Sequence, residues 1–264
     1  MQFRKYKLKF SRLEQIFISH LHGDHVLGLV GLISSLNLLG RKAPLSIHAH
    51  APLEAILNQN ISFFITDLQF PLVFKILDSK SSKIIYEDNT VTVESIPLKH
   101  RIPSTGFIVR EKPKLPNIRK DLISKYSISL SDIVRIKEGD DFVTPEGAII
   151  SNSELTYISS NPRSYAYCSD TKYFEGLAEM VKQVDVLYHE ATFGNEMERL
   201  AKATHHSTAL QAAIIAKKAN VGMLVIGHFS SRYKDVSPLV NEARAIFPNT
   251  HAAEEGREFK IEQS

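Results

Sequence analysis

The sequence predicts an α/β fold in which two sheets form the core and helices cover both outer faces. Short apolar runs typical of buried strands alternate with segments typical of helices, and the strands fall into two blocks. A chain of 264 residues, 43% of them hydrophobic, can bury a sizeable core as one large domain. The alternation breaks around Pro113 and Pro116, which predicts an inserted segment over residues 111–152.

Eight strands and five helices can be placed from these patterns. The predicted strands are 14–19, 45–48, 73–77, 90–98, 105–110, 165–169, 185–189 and 223–227. The predicted helices are 26–39, 53–58, 118–126, 208–219 and 236–245. For the helix that begins at Thr208, Ser207 is the predicted N-cap and Asn220 the predicted end.

Composition favours a protein of a reducing compartment. The single cysteine, Cys168, excludes an internal disulfide. No charged segment followed by an apolar one marks a signal peptide, and the apolar segment 26–40 is too short to span a bilayer. We therefore expect a cytoplasmic protein that does not contact a membrane.

The stretch Ser-His-Leu-His-Gly-Asp-His, directly after the first predicted strand, places three imidazoles and one carboxylate within six positions. Imidazole and carboxylate are the ligands that zinc takes when thiolate is absent. In an extended segment His20 and His22 point to the same side and can share one ion. Gly23 permits a tight bend, after which Asp24 and His25 can face a second ion. The stretch predicts a metal site rather than a histidine-rich surface loop.

Three further residues complete a repeated pattern of an apolar strand followed by a histidine or an aspartate. His100, Asp170 and His228 each follow such a strand at its carboxyl end, where functional residues collect. Each of them alone is more often a structural turn residue than a ligand. Together they are candidates for the ligands that the first motif needs to close two metal sites.

The motif His-x-His-x-Asp-His and its context from Ile16 to Leu32 resemble the signature of the metallo-β-lactamase superfamily. One branch is especially similar, ribonuclease Z, the tRNA 3′-processing endoribonuclease, and the similarity extends from about Lys5 to about Tyr233. The resemblance implies a four-layer αββα sandwich. Family members carry a β-hairpin and a Gly-Glu-Gly-Thr-Gln motif upstream of the position of Met1, so it also implies a sandwich that is N-terminally truncated.

The resemblance implies two Zn²⁺ ions per chain and a role for each ligand candidate. One zinc would be held by His20, His22 and His100, the other by Asp24, His25 and His228, and Asp170 would bridge them. The remaining histidines His48 and His50 fit no family ligand and are expected to have a surface or packing role.

Two more motifs match the family and imply catalytic roles. His206 lies in His-Ser-Thr and is the general-acid candidate, and Glu190 lies in His-Glu-Ala-Thr and is its expected orienting partner. The neighbouring His205 is the competing assignment for the acid. Asp24 is expected to accept the proton of the attacking water as well as to bind metal.

The resemblance implies a zinc-dependent endoribonuclease that removes the 3′ trailer from precursor tRNA. Hydroxide activated by two metal ions would attack the phosphodiester and leave a 3′-hydroxyl on the tRNA body. Two alternatives stay open: a metallo-β-lactamase-fold phosphodiesterase acting on a small substrate, and a truncated RNA-binding protein that no longer catalyses. A zinc β-lactamase fits less well, because Cys168 lies two positions before Asp170 and matches no ligand.

Charge is concentrated in one part of the chain. Residues 99–137 carry ten basic and three acidic side chains, whereas the whole chain has a net charge of only +3. Such a segment can attract a polyanion, although a solvated basic loop without a partner is equally compatible with the charge alone. We therefore expect 111–152 to be a basic arm that grips tRNA.

The resemblance alone also implies a homodimer.

Overall fold

Two sheets of different size organise most of the chain in the computed structural model, which describes residues 2–261. Residues 2–110 and 164–260 form one compact unit, which contains both sheets. Residues 111–163 form a second unit, so the inserted segment runs on past the predicted end at residue 152. Among the described residues, no helix is both long and apolar enough to cross a membrane.

The strands, in chain order, are β1 Gln15–Phe17, β2 Leu45–Ala49, β3 Leu72–Ile76, β4 Lys83–Glu87, β5 Val91–Leu98, β6 Ser104–Glu111, β7 Asn117–Ile118, β8 Phe142–Val143, β9 Ile149–Ile150, β10 Thr156–Tyr157, β11 Ser164–Cys168, β12 Val186–Glu190, β13 Met223–Gly227 and β14 Thr250–Ala252. The α-helices are α1 Gln2–Lys5, α2 Gly23–Val26, α3 Gly28–Leu38, α4 Pro52–Phe64, α5 Lys120–Lys125, α6 Leu130–Glu138, α7 Asn152–Leu155, α8 Leu177–Met180, α9 Glu198–Thr204, α10 Ala209–Ala219 and α11 Ser237–Ile246.

The smaller sheet is parallel and has the order β1-β2-β3, with Phe17 opposite His48 and Ile47 opposite Phe74. The larger sheet has seven strands in the order β14-β13-β12-β11-β6-β5-β4. Strands β11 to β14 run parallel to one another, whereas β6 is antiparallel to β11 and β4 to β5. Two of the predicted ligands follow strands of the parallel block, Asp170 after β11 and His228 after β13, whereas the others follow β1 and β5.

Separate apolar clusters on the faces of the two sheets create four layers. Helices α3 and α4 pack on the small sheet through fully or nearly fully buried side chains such as Ile33, Leu57 and Ile47. Between the sheets, Phe17 of β1 contacts a cluster that contains Phe107 of β6. The apolar faces are thereby removed from water on both sides of each sheet, which is the main stabilising contribution to such a fold.

The outer face of the large sheet is covered by α8, α10 and α11. Leu187 of β12 and Leu224 of β13 are fully buried, and they pack with Ala212, Ala216 and Leu239 of the helices. The alanines on α10 let the helix approach the sheet closely. The order helix, sheet, sheet, helix agrees with the predicted four-layer sandwich.

The second unit has a small core of its own, built from Ile118, Ile136, Phe142 and Leu155 with other apolar side chains around them. Residues 111–163 carry eight basic and eight acidic side chains and so have no net charge. The basic residues are concentrated before residue 126 and the acidic ones after residue 131. The unit is therefore a polarised segment rather than a uniformly basic one.

All predicted strands and helices are present, most of them with shifted ends, but several details differ. Thr208, not Ser207, is the N-cap of α10: its hydroxyl accepts from the Gln211 N–H, and the Gln211 side chain accepts from the Thr208 N–H. Ser207 instead donates to the Thr171 carbonyl. The predicted bend after Gly23 is the short helix α2. Six short strands, β4, β7 to β10 and β14, and five helices, α1 and α6 to α9, were not predicted. Asn220 ends α10 in a left-handed conformation, as expected.

Candidate metal centre

Strand ends bring the predicted ligands together. His20 and His22 follow β1, His100 follows β5, Asp170 follows β11, and His228 follows β13. Asp24 and His25 lie on helix α2, directly after the first pair. These loops are also tied to one another, because Lys172 N–H donates to the Lys99 carbonyl at 2.8 Å and Thr105 N–H to the Ser19 carbonyl at 2.9 Å.

Asp170 lies at the middle of this cluster, and its two carboxylate oxygens face different histidines. Oδ2 is 3.5 Å from His20 Nε2 and 3.9 Å from His100 Nε2. Oδ1 is 3.3 Å from His228 Nε2 and 3.7 Å from His25 Nε2. The side chain is 4% exposed, so these oxygens have little contact with water. This is the arrangement that a carboxylate bridging two ions requires.

Two sets of donor atoms in the cluster are each compact enough to surround one cation. The ligand atoms of His20, His22, His100 and Asp170 all lie within 4.8 Å of one another, as do those of Asp24, His25 and His228. His22 Nδ1 is 3.3 Å from His100 Nε2, and Asp24 Oδ2 is 3.3 Å from His25 Nε2. The structure thus brings all seven predicted ligand residues together, with Asp170 in the first set and its Oδ1 facing His25 and His228 of the second.

The hydrogen bonding of the donor atoms also fits metal binding. The Nε2 atoms of His20 and His25 are buried and have no hydrogen-bond partner among residues 2–261, which is costly for a polar atom. Nδ1 of His100 donates to the His205 carbonyl at 2.9 Å, since a carbonyl can only accept. That bond fixes the tautomer and leaves the Nε2 lone pair for a cation. Imidazole and carboxylate without thiolate suit zinc among the common metals.

Electrostatics keep three of the candidate ligands, His20, His100 and Asp170, in the protonation states that bind metal. Burial, together with the neighbouring His25, lowers the pKa of His20 to about 3, and burial likewise lowers the pKa of His100. Both imidazoles are therefore neutral at pH 7. Burial alone would raise the pKa of Asp170, but the surrounding histidines, His228 first, outweigh it and lower that pKa. Neutral imidazole and ionised carboxylate are the metal-binding forms.

His206 lies beside the second set and is held by Glu190. Its Nδ1 is 2.8 Å from Glu190 Oε1, and its ring stacks on that of His228 with centroids 5.4 Å apart. The Glu190 side chain is fully buried. Burial lowers the pKa of His206, but the hydrogen bond and charge of Glu190, helped by Asp170, outweigh burial and raise it. With Nδ1 donating to Glu190, the other nitrogen, Nε2, is the one that can reach a substrate.

The neighbouring His205 has a different place. It ends helix α9 in a left-handed conformation with φ of 60°, and its carbonyl accepts from His100. Among the described residues, its ring belongs to none of the compact donor groups, whereas His206 does, with Asp170 and His228. The geometry therefore favours His206 as the residue that faces the centre.

His48 and His50 both lie in the interior, which excludes the surface role left open for them. His48 stacks on Phe17 with ring centroids 4.5 Å apart, and burial lowers its pKa. His50 Nε2 is 3.2 Å from both the Ser19 carbonyl and Thr105 Oγ1. Their packing role supports the loop that carries the first ligands.

Thr192 is a site residue that the sequence patterns did not single out, although it is the threonine of His-Glu-Ala-Thr. Its hydroxyl donates to Glu190 Oε2 at 2.7 Å, because a carboxylate can only accept. The same oxygen therefore accepts from His228 Nδ1, 2.9 Å away. Glu190 thus supports His206 directly and the ligand candidate His228 through Thr192. His228 itself has a left-handed backbone, with φ of 61°.

Comparison with known proteins gives the family. No protein-family model matches the chain. Ribonuclease Z of Phocaeicola vulgatus is 50% identical over 262 residues, 99% of this chain and 85% of that protein. Ribonuclease Z of Bacteroides thetaiotaomicron is 51% identical over 255 residues, 97% of this chain and 81% of that protein. This chain belongs to the ribonuclease Z family.

Solved structures agree with that assignment. The short form of human tRNase Z has a TM-score of 0.66 and 25% identity, covering 98% of this chain and 83% of that one. The metallo-β-lactamase-fold protein YhfI from Bacillus subtilis, 15% identical, has a TM-score of 0.59 over 92% of this chain and 76% of its own, and shows the fold alone. The predicted family and fold class are both confirmed, and the protein is an enzyme of the ribonuclease Z type.

We predict that the hydroxyl of Thr192 supports metal binding. Thr192→Val keeps the shape of the side chain but removes the bond from His228, so the dissociation constant for zinc should rise by roughly 10- to 100-fold. Thr192→Ser, which keeps the hydroxyl, should bind zinc nearly as well as the unchanged protein. Competition with a chromophoric chelator measures both variants, and equal affinities would contradict a role for the hydroxyl.

Proposed function

We propose that the protein is a zinc-dependent endoribonuclease that removes the 3′ trailer from precursor tRNA. The observation that carries the proposal is the two-sided environment of Asp170, beside a histidine that a buried glutamate orients. Membership of the ribonuclease Z family supports the choice of an RNA substrate. Two Zn²⁺ ions per chain would be held in the two sets of ligands described above, with Asp170 shared.

The metal ions would supply Lewis acidity, which lowers the pKa of a water at the site and offsets negative charge on the phosphate. Asp24 would accept a proton from that water, since its side chain is 70% exposed and so accessible to solvent. A bond then forms from the water oxygen to phosphorus as the bond to the 3′-oxygen breaks. The products would be a tRNA body with a 3′-hydroxyl and a trailer with a 5′-phosphate.

His206 would deliver the second proton. Glu190 holds Nδ1, so the proton that leaves is the one on Nε2, and it would pass to the departing 3′-oxygen. The raised pKa of His206 favours the protonated form needed for this step. Glu190 acts here as a positioning residue, because its carboxylate contacts His206 rather than the substrate.

We also propose a homodimer acting in the cytoplasm. Helices α3 and α4 expose large apolar side chains, with Leu38 84%, Phe63 77% and Phe64 68% exposed. Exposed apolar side chains gathered on neighbouring helices are typical of a surface that another protein covers. The molar mass in solution, from light scattering, tests this proposal, and a monomer at micromolar concentration would contradict it.

The central experiment incubates zinc-loaded protein with a 3′-extended precursor tRNA and maps the cut. We expect one cut, a 3′-hydroxyl on the body, close to two zinc ions per chain, and loss of cleavage on chelation. Asp170→Ala should lower the zinc content at both sites, because its carboxylate is shared. Cleavage of small diesters alone would favour the small-substrate alternative, and RNA binding without any cleavage would favour an RNA-binding protein.

The acid role of His206 makes a separate prediction. His206→Ala should keep both zinc ions but lose on the order of 10²- to 10⁴-fold in kcat on precursor tRNA. The loss should shrink on a nitrophenyl phosphodiester, because that leaving group needs little protonation. An equally deep loss on both substrates would mean that His206 is not the acid. His205→Ala serves as the matched control, and a selective loss there would transfer the role to His205.

The basic half of the second unit is proposed to grip the tRNA body. Neutralising Arg119 and Lys120 together should raise KM for precursor tRNA and reduce the salt dependence of binding by up to about one unit per lost phosphate contact. A small phosphodiester, which lacks the tRNA body, should be affected far less. Equal losses on both substrates would show that these residues support the fold instead.

A further inference from the structure

A cavity of about 290 Å³ opens beside His206 in the larger unit. Its size is near the lower end of small-ligand pockets, about 300 Å³. It is lined by Lys172, Tyr173, Glu198, Lys202, His206 and Gln211. Of these residues only His206 also belongs to the compact donor groups at the centre. The cavity is therefore a separate space that shares one wall with the candidate metal centre.

The lining carries more positive than negative charge. Lys172 and Lys202 contribute two ammonium groups against the single carboxylate of Glu198. Arg101 adds a third cation nearby, because its guanidinium donates to the carbonyl of Ala203, the residue after Lys202, at 3.3 Å. Such a lining attracts a phosphate-bearing ligand.

Tyr173 supplies an aromatic wall whose position is fixed from outside the cavity. Its side chain interacts with Glu175 and with Lys218, which pair with each other at 2.7 Å. The tyrosine also packs partly against the main core. A ring held at its hydroxyl end in this way loses little freedom when a nucleobase stacks on it.

Gln211 and Glu198 form the polar side of the cavity. Gln211 Oε1 accepts from the Thr208 N–H at 3.1 Å, and Nε2 donates to Glu198 Oε1 at 3.2 Å. The cap of helix α10 thereby positions the Glu198 carboxylate, whose acceptor oxygens suit a ribose hydroxyl or a base amino group.

We propose that this cavity binds the nucleoside on the 5′ side of the scissile phosphate, the one that keeps the departing 3′-oxygen. The inference rests on the proposed function, in which Nε2 of His206 protonates that oxygen. The nucleoside attached to the oxygen must then lie against His206, and the cavity that shares His206 offers cations for its 5′-phosphate and Tyr173 for its base. The nucleotide on the 3′ side leaves with the trailer and needs no contact there.

A cycle of variants and abasic substrates tests the assignment. We expect Tyr173→Leu to raise KM and the dissociation constant for intact precursor tRNA by roughly tenfold, the scale of one lost base stack. The same substitution should leave KM and the dissociation constant almost unchanged for a precursor that lacks the base 5′ of the cut. For a precursor that lacks the base 3′ of the cut, both constants should rise as much as they do for the intact precursor. Tyr173→Phe keeps the ring but loses the hydrogen bonds of the hydroxyl, so it should retain most of the affinity.

Two further measurements complete the test. Lys172→Gln with Lys202→Gln should weaken binding of labelled precursor in fluorescence anisotropy, whereas the matched control Lys182→Gln, an exposed lysine paired with Glu179, should not. Two outcomes would overturn the inference while the proposed function stands. In one, Tyr173→Leu weakens the binding of both abasic precursors equally. In the other, it leaves the binding unchanged only for the precursor that lacks the base 3′ of the cut. Unchanged protein that cleaves no precursor at all would overturn both.

Discussion

The shared carboxylate of Asp170 is the constraint on which the rest of the site depends. One buried anion faces four imidazoles, two through each oxygen. A carboxylate removed from water needs close partners that offset its charge. A cation held between the carboxylate and the histidines would satisfy both partners. The strand ends of two sheets are arranged around this one group, which explains why ligands far apart in the sequence converge there.

A second buried carboxylate, Glu190, orients residues around the candidate metal centre without belonging to either set of ligands. It accepts from the Thr171 N–H, from the Thr192 N–H and hydroxyl, and from His206. Every acceptor direction is therefore used by the protein, and the carboxylate has a fixed orientation. Because Thr192 also contacts His228, the same network fixes one edge of the metal centre and the residue that would move a proton. The two functions are coupled through hydrogen bonds rather than through contact with substrate.

The sequence was most informative where a chemical requirement acts on consecutive residues. The motif from His20 to His25 was enough to predict its own candidate ligands, since backbone geometry alone decides which side chains share a side. Predicting His100, Asp170 and His228 required the assumption that the ends of their strands meet. The sequence supports that assumption only when the three residues are considered together. Thr192 was not predicted because its role depends on a hydrogen-bond direction that exists only after β12 and β13 are paired. The charge pattern was the least reliable guide: the basic stretch 99–137 overlaps both compact units, and the second unit alone is neutral.

The left-handed backbone of His228 shows that a residue needed for the site can lower the stability of the fold. A side chain at φ of 61° costs on the order of 1–2 kcal/mol relative to an ordinary conformation, and glycine would remove that cost. Glycine, however, has no imidazole to present to Asp170 Oδ1. Selection for a more stable apoprotein and selection for a competent site therefore act in opposite directions at this one position. Strain of this kind is typical of functional sites, where the surrounding structure holds the residue in place.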